Sequence, residues 1–258
     1  MKKTVGVLEN IPELIYGTDG WTKLQQQIER QPVDFLVLNE LPFGTWLASS
    51  HTFDKSRWEE SISISQDALK HLDEFNAENI VGSMPMETAD GTRVNAGFLW
   101  SRKDGLSIHH YKQHLPHGPG YWETTWTSPG SAGFESFEVS GLKVGFMICT
   151  DIMFPEHARQ YGRENVDLIV CPRATPPLDQ AMFHAALTMA ATVSGSYVAS
   201  SNRGYTDSLG FSYEGNGRVI SPRGIDIAVT NPEDSYLVVD IDTDFVRAKQ
   251  ARYPIDVH

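Results

Sequence analysis

Short apolar runs bounded by Gly, Pro, Asn or Asp recur along the chain, and each predicts a strand. They fall at 4–8, 35–38, 80–83, 96–100, 134–139, 144–148, 168–171, 197–200, 217–220 and 236–241. Helical spacing interrupts them. Trp21, Leu24 and Ile28 repeat at three and four, and Trp58, Ile62, Leu69, Leu72 and Phe75 carry that spacing through a longer segment with a polar gap at Ser65. Pro155 opens a third helix reaching Tyr161, with Glu156 at the positive end of its dipole. A fourth, apolar-rich helix covers 178–193 and stops near Gly195. The early order is strand, helix, strand, helix, strand, whereas several middle and late strands have no helix between them. That order predicts an α/β fold in which two mixed sheets share a core and helices cover the outside. No repeat and no Pro/Gly/Ser-rich linker divides the chain, so 1–258 reads as a single domain.

The bulk numbers narrow the function. With 258 residues, 40% of them hydrophobic and 21% charged, the chain has the composition of a globular protein with a sizeable core. Its net charge of -12 argues against nucleic acid as a partner. The only cysteines, Cys149 and Cys171, make a poor disulfide framework. Lys2 and Lys3 precede an apolar run too short for a signal peptide, and no stretch reads as a membrane span. A cytoplasmic protein without membrane association is expected.

Cys149 ends the run 143–149 and is followed by Thr150, Asp151 and then Phe154-Pro155-Glu156. That pattern predicts a strand, a sharp turn and a helix start, with the thiol exposed beside free backbone N–H groups. Two other strand ends offer partners: Glu40 after 33–39, and Lys112 within His109-His110-Tyr111-Lys112-Gln113-His114. Cleaving an amide with a thiol requires a base, a partner for the oxyanion and an acid for the leaving nitrogen. Glu40 can serve as base and acid. Lys112 and the Thr150 N–H can hold the oxyanion without a metal.

The segments Leu38-Asn39-Glu40-Leu41-Pro42-Phe43, Tyr111-Lys112-Gln113-His114-Leu115-Pro116 and 144–151 with Phe154-Pro155-Glu156 resemble those of the nitrilase superfamily of carbon–nitrogen hydrolases. The stretch from Lys112 to Glu123, with His117-Gly118-Pro119-Gly120-Tyr121-Trp122-Glu123, is similar to the amidase branch that includes N-carbamoylputrescine amidase. The resemblance implies a four-layer αββα sandwich and a Glu40–Lys112–Cys149 triad, with Glu123 orienting Lys112 and the substrate. It also implies homodimers or larger assemblies, no metal and no organic cofactor. The expected substrate is a small amide or ureido compound. Ile152 and Met153 stand where a related branch carries a basic pair for a substrate carboxylate, and Thr150-Asp151 differs from the Trp-Glu pair that follows the cysteine in true nitrilases. Both departures favour an amide over an N-carbamoyl-D-amino acid or a nitrile.

Blander readings stand beside these. Cys171 ends a core strand and reads as an inert small hydrophobe. Glu123 also fits a structural ion pair. Tyr121 and Trp122 line a pocket or pack the core. Arg173 meets a substrate's polar end or closes a structural salt bridge. His109, His110, His114 and His117 match no common zinc spacing, and His114 reads as a loop anchor.

Overall fold

The computed structural model describes residues 1–9, 13–207 and 210–252. The first half runs β1 (Lys2–Leu8), α1 (Asp19–Arg30), β2 (Val33–Val37), α2 (Lys55–Leu69), β3 (Ala77–Glu87), β4 (Arg93–Ser101) and β5 (Gly105–Tyr111). Two short strands, β6 (His117–Gly118) and β7 (Tyr121–Trp122), and the one-turn α3 (Glu123–Trp126) follow. The second half runs β8 (Ser136–Val139), β9 (Leu142–Phe146), α4 (Pro155–Arg163), β10 (Leu168–Val170), α5 (Gln180–Ser194) and β11 (Tyr197–Ser200). It closes with β12 (Arg218–Ile220), β13 (Asp226–Val229), β14 (Tyr236–Asp242) and α6 (Thr243–Gln250).

The strands form two six-stranded mixed sheets, ordered β14-β1-β2-β3-β4-β5 and β13-β12-β11-β10-β9-β8. Each has a parallel centre, β1-β2-β3 or β9-β10-β11, flanked by antiparallel neighbours. Parallel neighbours need a crossover, and α1, α2, α4 and α5 supply the four. Strand alternation then sorts the layers. Phe35 and Val37 on β2 share a core with Val144, Phe146 and Val170 of the other sheet. Leu36 and Leu38 instead pack with Trp21, Leu24 and Ile28 of α1 and Ala68 of α2. This is the four-layer αββα sandwich. Complete burial of a side chain such as Leu24 stabilises the fold by about 1.5–3 kcal/mol.

Within the two six-stranded sheets, two strands fall outside the predicted apolar runs. β5 and β13 lie at sheet edges, and their half-exposed side chains include Leu106 and Ile227. An edge strand is specified by its neighbour's hydrogen bonds more than by its own hydrophobicity. The second helix is also shorter than its periodicity. It stops at Leu69, and Leu72 and Phe75 continue its apolar face from a 3-10 turn and the residue after it. Phe75 still packs on Trp21, with ring centroids 4.5 Å apart, so tertiary contact rather than helical register keeps it buried. The helix over 178–193 begins at Gln180 and ends at Gly195, whose φ of 66 suits a residue without Cβ. Phe245 lies in α6, while Tyr253 and Pro254 fall outside the described residues. Among the described residues no helix is long and apolar enough to cross a membrane.

Candidate active site

Three strand ends converge. Glu40 follows β2, Lys112 follows β5 and Cys149 follows β9. Each is fixed first through its backbone. The Glu40 N–H donates to Arg173 O at 3.2 Å, the Lys112 N–H to Asn95 O at 2.9 Å and the Cys149 N–H to Pro172 O at 2.9 Å. Leu41 and Cys149 sit at φ 44 and 48, in the left-handed region that non-glycine residues seldom occupy. Such positions persist where surrounding contacts over-determine them. After Glu40, the buried Arg203 guanidinium donates to the carbonyls of Leu41 and Gly44. After Cys149, a 3-10 turn covering Cys149–Met153 leads into α4.

The Asp151 carboxylate ties two of these strand ends together. Its Oδ2 accepts from the Ile148 N–H at 3.1 Å and lies 2.9 Å from His110 Nε2. Its Oδ1 accepts from the N–H groups of Gln113 and His114 at 3.2 and 2.9 Å. The Thr150 hydroxyl adds a bond to His114 O. The segment bearing Lys112 and the turn bearing Cys149 are therefore one hydrogen-bonded block. His114 is anchored as expected, with its ring stacked 3.5 Å from Phe154 and its Nε2 3.0 Å from His157 Nε2.

At the centre, Lys112 Nζ donates to Glu40 Oε1 and to both Glu123 oxygens, all at 2.7 Å. Asn95 Nδ2 also donates to Glu40 Oε1, at 2.9 Å. Glu40 and Lys112 are fully buried, yet Glu40 Oε2 has no hydrogen-bond partner. One carboxylate oxygen is thus fixed twice over while the other stays free to take a proton. Burial alone would lower the Lys112 pKa, but the charges of Glu123, Glu40 and Cys149 outweigh it and hold the ammonium well above its ordinary range. Burial, reinforced by Glu40, pushes the Glu123 carboxyl up to about 8 against the pull of Lys112. A single ammonium facing two carboxylates favours one ionised and one protonated. Burial, with Glu40 nearby, also pushes the Cys149 thiol well above its ordinary range.

Two expectations need correction here. Cys149 is not exposed: it is 3% accessible and meets solvent only through a cavity of about 350 Å³. The free N–H groups beside it do not offset burial, which holds the thiol neutral in the unliganded site. Glu123, Tyr121, Thr150, Met153 and Phe183 also line the cavity. Trp122 and Arg173 do not. Trp122 packs edge-on to His117, with ring centroids 4.8 Å apart. Arg173 is completely buried, donating to Ser200 Oγ at 2.7 Å and Asn216 O at 3.1 Å and facing Glu214 at 3.5 Å. Its chain neighbour Ala174 and its partner Thr175 line the cavity, while Arg173 itself does not. Cys171 is likewise buried, and burial pushes its thiol up to about 12.

Asn95, Asp151 and Arg203 shape the site more than the sequence reading credits. Asn95 had a signal: a polar residue interrupting the strand pattern 93–100. Arg203 had none, since its partners lie more than a hundred residues upstream.

Comparison with known proteins bears on family and fold. The profile of the carbon–nitrogen hydrolase family matches residues 12–251. An omega-amidase of Xenopus tropicalis is 29% identical over 245 residues, covering 90% of this chain and 85% of that protein. An N-carbamoylputrescine amidase of Arabidopsis thaliana is 38% identical over 82 residues, 31% of this chain and 27% of that protein. The chain thus aligns with only about a quarter of the length of such relatives. In fold, a carbon–nitrogen hydrolase of Helicobacter pylori superposes with a TM-score of 0.85 at 21% identity, covering 99% of this chain and 94% of that one.

Proposed function

The chain belongs to the carbon–nitrogen hydrolase family, and on that premise we propose that it is an amidase that cleaves a small linear amide or N-carbamoyl amine through Cys149. The observation that carries this reading is the Lys112 ammonium held at 2.7 Å by Glu40 and Glu123 while Glu40 Oε2 has no partner. Because the thiol is neutral at rest, its proton leaves as the sulfur attacks. Glu40 Oε2 takes it, and Sγ bonds to the substrate carbonyl carbon. The oxyanion is met by Lys112 and the Thr150 N–H, since the first N–H groups of a helical turn have no partner within that turn. Glu40 returns the proton to the nitrogen, the C–N bond breaks and ammonia leaves. Water, deprotonated by Glu40, then hydrolyses the thioester to the acid and restores the thiol. Glu123 holds Lys112 in line throughout.

A free thiol nucleophile suits a reducing compartment, which favours the cytoplasm. The exposed Met182 and Met189, one face of α5 beside the cavity, support assembly of the protein with a second copy of itself. The test is ammonia release from primary amides, N-carbamoyl amines and nitriles, with intact-mass detection of an acyl adduct. Amide or ureido turnover with an adduct that vanishes in Cys149→Ala supports the amidase. Turnover of nitriles alone makes it a nitrilase. An unreactive Cys149 and no turnover make it a binding protein on this fold.

A further inference from the structure

A small cavity of about 10 Å³ adjoins the site through Glu123, the one described residue that lines both it and the larger cavity at Cys149. Its polar lining is Asn95, Glu123 and Thr127, and the rest is apolar, Leu47, Trp58 and Trp126 included. Asn95 is 2% exposed and lines this cavity but not the larger one. Its Nδ2 donates to Glu40 Oε1 at 2.9 Å, whereas its Oδ1 has no hydrogen-bond partner among the described residues. The carboxamide cannot be turned round. Its oxygen would then face the Glu40 carboxylate at that distance, acceptor against acceptor.

The donors around this cavity are committed elsewhere. Trp58 Nε1 donates to Glu87 Oε1 and Trp126 Nε1 to Ser50 O, both at 2.8 Å. The Thr127 hydroxyl donates to Glu123 O at 3.3 Å, which leaves its lone pairs to accept. Lys112 Nζ is held by Glu40 and both Glu123 oxygens. A buried amide oxygen left without a donor carries a desolvation cost. A volume of about 10 Å³ takes one water and nothing larger. A water there donates one hydrogen to Asn95 Oδ1 and the other to Thr127 Oγ1, with Glu123 as a further polar neighbour. Buried waters ordinarily have about three such partners.

Resting on the amidase reading for its consequence, the structure assigns one buried water to this cavity and makes Thr127 a positioning residue for Glu40, acting through that water and Asn95. Resonance keeps a carboxamide planar, as it does the peptide bond. A hydrogen bond that fixes Oδ1 therefore also fixes the plane in which Nδ2 reaches Glu40. The base is then held from two sides: by Lys112 within the site, and by Asn95, the water and Thr127 leading away from it.

A high-resolution crystal structure of the wild type tests the site without reference to turnover. One solvent peak within hydrogen-bond reach of both Asn95 Oδ1 and Thr127 Oγ1 is expected, and an empty cavity overturns the assignment. The role is tested with Thr127→Val, which keeps the shape and deletes the hydroxyl, and with Thr127→Ser, which keeps the hydroxyl. On the best amide of the ammonia-release panel, Thr127→Val should lower kcat about fivefold, the typical worth of one hydrogen bond, and change KM by less than about twofold. Thr127→Ser should restore most of that loss, and crystals of Thr127→Val should show the water displaced or lost. Unchanged kcat in Thr127→Val, a loss that serine does not restore, or a loss with the water still in place overturns the role of Thr127. A water on Asn95 in a protein that hydrolyses none of the panel would sink the amidase reading and leave the water site standing.

Discussion

Lys112 and Arg173 are both completely buried cations facing carboxylates, and they do opposite things. Around Lys112, two carboxylates surround one ammonium, an oxygen of Glu40 is left over, and Glu123 opens onto the cavity. Around Arg173, a single carboxylate, Glu214, shares the guanidinium with Ser200, Thr175 and the Asn216 carbonyl, and of these only Thr175, its hydroxyl bonded to Glu214, lines the cavity. Their pKa shifts differ accordingly. Burial lowers Arg173 despite Glu214, whereas the surplus of negative charge around Lys112 overcomes burial and raises it. Burial and charge alone do not separate the two cations; the unpartnered Glu40 oxygen and the Glu123 carboxylate lining the cavity do.

The sharpest way to break this contrast is to remove each cation. Lys112→Met should lower kcat of the folded fraction on the order of a thousandfold by deleting an oxyanion partner, and it should also cost stability, because Glu40 and Glu123 lose their buried cation. Arg173→Met should instead cost about 3–5 kcal/mol in denaturant unfolding, because Glu214 is left buried and unpaired. The fraction that stays folded should keep near-normal kcat. If Arg173→Met lost turnover without losing stability, the division between the two cations would fail.

A smaller effect tests the fixed oxygen of Glu40. Asn95→Ala removes one of its two donors, a bond to a charged group worth about 1.5–3 kcal/mol. The expected result is a kcat decrease of about tenfold or more with KM little changed. A rise in KM alone would mean that Asn95 serves binding rather than the base.

The most gradual effect is spread over pH. The Glu123 carboxyl is raised from an ordinary 4.5 to about 8, so the folded protein keeps a proton that the unfolded chain releases. That contribution to stability is fully present below pH 4.5 and is lost as pH rises through about 8. Its slope is at most about 1.4 kcal/mol per pH unit. Thermal unfolding of the wild type should weaken over this window, and Glu123→Gln should flatten the decline. An equal decline in both proteins would assign it to other groups.

The fold and the converging strand ends were legible because their signals are local. Apolar runs set the parallel strands, and Glu40 and Cys149 each follow one of them, whereas Lys112, singled out by its flanking motif alone, follows β5, which has no such run. What the sequence concealed depends on chain that returns from far away. Whether Arg173 is free or spent depends on Glu214, forty-one residues later. Cys149 looked exposed because a strand-to-turn junction often is. Its burial follows from the cavity walls, Phe183 and Met153 among them.

The block joined by Asp151 has a mechanical consequence. Cys149 and Lys112 sit on one hydrogen-bonded piece, and Glu40, whose following turn is held by Arg203, joins that piece through Lys112 Nζ and the Asn95 side chain. On the proposed mechanism, the alignment of Glu40 with Cys149 therefore hangs on two hydrogen bonds to a single carboxylate oxygen.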